Sequence, residues 1–84
     1  MPDRDDFQTQ LARVFEVASD LGLSFIDLKA GDLHRMVGGY PGQDHRMPIC
    51  CNVMYDSVQD KDRILDKPRK GKGANLIIRF QLPR

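Results

Sequence analysis

The chain has 84 residues, 40% hydrophobic and 30% charged, with a formal net charge of +1. That balance fits one soluble domain with a single small core and leaves little room for a deep catalytic cleft. No apolar run reaches the roughly 18 residues needed to span a membrane, the start Met1-Pro2-Asp3-Arg4-Asp5-Asp6 is too acidic for a secretory signal, and two adjacent cysteines, Cys50 and Cys51, cannot form a disulfide scaffold. The expectation is a reduced, cytoplasmic protein.

The near-neutral total hides an asymmetry. Residues 1–60 hold five Lys/Arg against ten Asp/Glu, whereas residues 61–84 hold eight Lys/Arg against Asp62 and Asp66. A basic C-terminal third points to a polyanionic partner.

In chain order, Phe7, Leu11, Val14, Phe15, Ala18 and Leu21 form one apolar stripe at helical spacing, which predicts a helix over about 5–21. Asp3, Asp5 and Asp6 suit its positive end and Gly22 its stop. Residues 23–28 read as a brief strand. Leu33, Met36 and Val37 predict a short helix from Asp32 to Val37, and residues 38–44, with three glycines and Pro41, form a turn-rich connector. A third helix follows, with Pro48 in its first turn. Its apolar face is Ile49, Cys50, Val53 and Met54, and its other face is Cys51, Asn52 and Tyr55. The chain closes on a hairpin: Arg63–Asp66, a basic turn over residues 67–73, and an alternating strand over residues 75–82.

Helix, short strand, helix, turn, helix, hairpin is the element order of a winged helix-turn-helix, and the chain resembles the winged-helix superfamily from about Asp5 to Phe80. The expected fold is therefore α+β, one domain over residues 1–84 with its ordered core at about 5–82: three helices and a small antiparallel sheet made of the strand after helix 1 and the C-terminal hairpin, or wing. Ala30-Gly31-Asp32-Leu33-His34-Arg35, Gly38-Gly39-Tyr40-Pro41-Gly42, His45-Arg46-Met47-Pro48 and the closing residues 73–84 also resemble a small bacterial family of unknown function, found alone or beside restriction-type nuclease domains. That resemblance implies a bacterial or phage setting in defence or DNA processing, and the DNA-binding reading as a whole adds transcription regulation.

Lys67, Arg69, Lys70 and Lys72 place four cations within six residues beside Gly71 and Gly73, which let backbone approach a phosphate closely. Helix-turn-helix domains read bases from the start of the second helix of the motif. His45 and Arg46 stand there, with Asn52 and Tyr55 further along the outer face. Arg46 matches a guanine edge, or else a phosphate or Asp44, and Asn52 an adenine edge; Tyr40 belongs to a structural turn, with stacking on sugar or phosphate as the alternative. The expected partner is double-stranded DNA, in a nucleoid-associated protein. A lone module buries only about 600–1,000 Å² on DNA, so a homodimer or a nuclease-type protein partner would supply further affinity.

His34, His45, Cys50 and Cys51 are the soft-ligand set. Adjacent cysteines on a helix point about 100° apart, so no metal and no cofactor is expected, with Cys50 in the core and Cys51 partly exposed. The phosphate-loop pattern G-x-x-x-x-G-K-[ST] is missing, and no nucleophile has an orienting third group, so the reading is a binding protein and not an enzyme. The alternative is a protein-interaction winged helix, an adaptor or inhibitor of a nuclease or defence complex, whose basic hairpin grips an acidic partner.

Overall fold

A computed structural model describes residues 2–38 and 46–84. The elements run α1 (Arg4–Asp20), β1 (Phe25–Lys29), α2 (Ala30–Val37), α3 (Met47–Asp56), β2 (Arg63–Asp66) and β3 (Ile77–Gln81). The described residues thus form an α+β fold of three helices and one three-stranded antiparallel sheet of order β1-β3-β2. No helix among them is long and apolar enough to cross a membrane.

α1 is delimited at both ends by local chemistry. The Asp6 backbone N–H donates to Asp3 Oδ1 (3.0 Å), and the Asp3 N–H donates back to Asp6 Oδ2 (2.9 Å), a reciprocal capping box. At the other end Gly22 adopts φ +80°. Its N–H reaches the Ser19 carbonyl while the Leu23 N–H reaches that of Ala18, which is a Schellman stop.

α2 begins at Ala30, two residues before the expected Asp32. Lys29 supplies no side-chain cap. Instead, the Ala30 and Gly31 N–H groups donate to the Leu76 (2.8 Å) and Ala74 (3.0 Å) carbonyls, from the segment between β2 and β3. These are orphan donors of a helix N-terminus, and distant backbone satisfies them. The same contact starts β3 two residues later than expected: Leu76 turns back on Gly73, its N–H bonded to the Gly73 carbonyl, before the ladder begins at Ile77.

The core lies between one face of the sheet and the three helices. Phe7 and Leu11 of α1, Leu33 of α2, Val53 and Met54 of α3, and Leu76, Ile78 and Phe80 are all 2% exposed or less. Two positions of the predicted stripes lie elsewhere. Leu21 is 73% exposed and Met36 51% exposed, because only one side of α1 and of α2 faces the core. β2 is an edge strand with a bulge at Leu65, where Ile64 pairs with Ile78 and Asp66 with Ile77.

The C-terminal Arg84 closes the fold. Its guanidinium donates to both oxygens of Asp62 (2.9 and 2.8 Å) and to the Ser57 carbonyl. It also lies over the rings of Phe15 (4.7 Å) and Phe80 (5.1 Å). The Asp62 side chain is 1% exposed and that of Arg84 8% exposed. Burial alone would raise the Asp62 carboxyl, but N–H donors from Gln81 and Gln59, together with Arg84, outweigh it and hold the carboxyl below its ordinary range. A depressed folded-state pKa stabilises the fold fully above the unfolded value of about 3.9, and this contribution is lost as pH falls through the folded value. Asp62→Asn is accordingly expected to melt below the parent at pH 7, with the gap closing as pH drops below about 4. Melting curves across that range check this, and a pH-independent gap would contradict it.

Candidate nucleic-acid interface

The segment between β2 and β3 is two consecutive turns. In the first, the Gly71 N–H donates to the Pro68 carbonyl (2.7 Å), which places Arg69 and Lys70 at the apex. Gly71 takes φ +83°, a left-handed conformation that favours glycine. The second turn, Gly73–Leu76, supplies the carbonyls that cap α2.

α3 holds this segment from the side. The Tyr55 hydroxyl donates to the Gly71 carbonyl. Cys51 Sγ accepts from the Gly73 N–H (3.3 Å) and donates to the Gly73 carbonyl (3.4 Å). One residue towards the start of the helix, Cys50 Sγ donates to the Ala30 carbonyl (3.5 Å), tying α3 to α2 as well. The expected outer face of α3 is thereby corrected. Cys51 is fully buried, not partly exposed, and Tyr55 is half-buried, because the Gly71–Gly73 backbone packs on that side of the helix. Burial, and then the neighbouring Cys51, push the Cys50 thiol up to about 12. Burial raises Cys51 too, against the opposing pull of the Gly73 N–H and Lys72. Both groups are neutral thiols at physiological pH and serve packing.

Lys67, Arg69, Lys70 and Lys72 are all exposed, and among the described residues none of the four is in an ion pair. Asp62 and Asp27 are engaged elsewhere, whereas Asp66, at the end of β2 beside Lys67, is exposed and in no ion pair among the described residues. Asp62 is committed to Arg84, and Asp27 is committed to Arg79, which reaches both its oxygens (2.7 and 3.0 Å) and lies 4.3 Å over the Phe25 ring. The Arg79 hydrogen bonds hold the Asp27 carboxyl below its usual range. Lys61 and Arg63, also exposed and outside any ion pair among the described residues, extend the cationic strip back along β2. The charge count of residues 61–84 carried that signal, and attention to the hairpin tip alone missed it.

The other expected contact residues divide into two groups. Asn52 is half-buried and stands three residues before Tyr55 on α3. Arg46 is the N-cap of α3, and its backbone N–H donates to Nε2 of His34 (2.7 Å) rather than to the loop. His34 is fully buried and stacks edge-on against Phe7 at 4.9 Å, so it seats the start of α3 on α1. His45 and Tyr40 lie outside the described residues. From Met47 to Asp56, α3 itself carries no Lys or Arg, and its Asp56 pairs with Arg4. No group of three or more His, Cys, Asp or Glu among the described residues is arranged to hold a metal ion.

Comparison with protein-family models, with curated proteins and with solved structures returned no match to this chain.

The Tyr55–Gly71 bond is open to a direct test. Tyr55→Phe removes one hydrogen bond and keeps the ring. It is expected to cost about 0.5–1.5 kcal/mol and to speed amide exchange at Gly71 and Lys72, measured by melting and by hydrogen exchange. An unchanged melting temperature with unchanged exchange would contradict the contact.

Proposed function

We propose that this chain is a winged-helix-like module that binds double-stranded DNA through the phosphate backbone, with the β2–β3 loop as the wing. The observation that carries the reading is the set of four exposed cations without ion-pair partners among the described residues, on a loop tethered to α3 and α2. A cation on a tethered loop loses less conformational freedom on meeting a phosphate than one on a free loop, so more of its Coulombic gain is realised as affinity. The two glycines of the loop allow close backbone approach, and the Lys61–Arg63 extension lengthens the footprint. In this reading Asn52, on α3, and Arg46, at its start, contact the groove, and the chain is a targeting or regulatory subunit without a catalytic step of its own.

The absence of any Lys or Arg from α3 favours a second reading, in which the same loop grips an acidic protein surface and α3 does not enter a groove. The two part on salt dependence and sequence tolerance. Binding to duplex DNA releases about 0.9 counterion per phosphate neutralised. Lys70→Ala with Lys72→Ala is expected to weaken binding to random duplexes uniformly and to lower the slope of log affinity against log salt by up to about two. Fluorescence anisotropy across a salt series reads both effects. An unchanged slope removes the loop from a DNA interface, and no duplex binding by the parent chain at low salt rejects the DNA reading in favour of the protein one.

A further inference from the structure

The apolar stripe of α1 is wider than the part that the chain's own core covers. Its buried side is Phe7, Leu11 and Ala18. Adjoining this side, Gln10 and Val14, both half-buried, and Val17 and Leu21, both exposed, follow one another at spacings of four, three and four, the alternation of a helix–helix seam. Val17 is 52% and Leu21 73% exposed, and Leu23 (47%) and Met36 (51%) border the same open groove of about 330 Å³. Apolar surface gathered on one helix face in this way marks an interaction site.

The flanks of the seam identify the occupant. Arg13 and Asp20 each stand one residue before a seam position, Val14 and Leu21, and so on the same flank. Both are exposed, and neither is in an ion pair among the described residues. The opposite flank, Leu11 and Ala18, is buried inside the chain. Parallel pairing of two such helices would set the Arg13 flank of one against the buried flank of the other. Antiparallel pairing sets the same flank against itself in reverse order. With Val14 packed on the partner's Val17, Arg13 then faces the partner's Asp20, and the two-fold axis repeats the pair. The charges and the apolar stripe are thus complementary to a second copy of themselves.

We infer that this protein forms a two-fold homodimer through antiparallel pairing of α1, with Val14, Val17 and Leu21 in the seam and reciprocal Arg13–Asp20 pairs along its free flank. Dimerisation through α1 does not depend on DNA binding by the β2–β3 loop. It would set two such loops on one particle and double the cationic footprint.

The test is sedimentation equilibrium on the full chain and its variants, with circular dichroism as the control for folding. The parent chain is expected to be a dimer at micromolar concentration and Val17→Glu a folded monomer. Arg13→Asp alone or Asp20→Arg alone turns both reciprocal pairs from attraction to repulsion and should weaken dimerisation about tenfold. An equimolar mixture of these two single variants should recover the dimer as a heterodimer, as should the double swap in one chain. These exchanges are at exposed positions, so they keep the proposal falsifiable if Val17→Glu misfolds. A monomeric parent chain at all concentrations overturns it. So does a dimer indifferent to both single swaps, or a mixture that fails to recover.

Discussion

Everything distinctive in this fold depends on one stretch of backbone, the return leg from Gly71 to Leu76. Two of its carbonyls cap α2, its Gly73 peptide is held at both N–H and carbonyl by Cys51, and its Gly71 carbonyl accepts from Tyr55. Leu76, at its end, is fully buried. A loop carrying Lys67, Arg69, Lys70 and Lys72 repels itself and would stay extended if left to its side chains. Backbone hydrogen bonds and one buried leucine hold it folded instead, which leaves every ammonium and guanidinium of the tip directed to solvent.

The distribution of carboxylates follows the same division of labour. Asp62 and Asp27 serve the fold, each locking an arginine that also lies over an aromatic ring. What remains from Lys61 to Lys72 is a net positive charge, six Lys/Arg against Asp66, with the loop part tethered to the helices. α1 differs, with its acidic groups in the cap or exposed and its apolar stripe running past the core to the exposed Val17 and Leu21.

Local signals were legible in the sequence and distant ones were not. α1 was readable at both ends because Asp3 and Gly22 act on residues within a turn of themselves, and β2 was readable from Arg63 to Asp66 in the same way. The start of α2 was not readable, since its capping groups lie more than forty residues away at Ala74 and Leu76. Periodicity gave α3 a single buried face, but this helix is packed from two directions, so Cys51 and Tyr55 turned from outer-surface residues into anchors for the loop. His34 looked like a spare ligand and is a core residue that orders the first turn of α3, because only the tertiary fold brings the Arg46 N–H to its ring. The cationic tip was legible from composition alone; its tether was not.

The tether is the central claim, and native-state hydrogen exchange measures it directly. The account predicts that the amides of Ala30, Gly31 and Gly73 exchange only through near-global unfolding, as slowly as those of β3, while the apex amides of Arg69 and Lys70 exchange within the fast limit. Fast exchange at Ala30, Gly31 and Gly73 together would mean that the return leg is not docked on the helices, and the account of a cationic loop on a rigid base would fail.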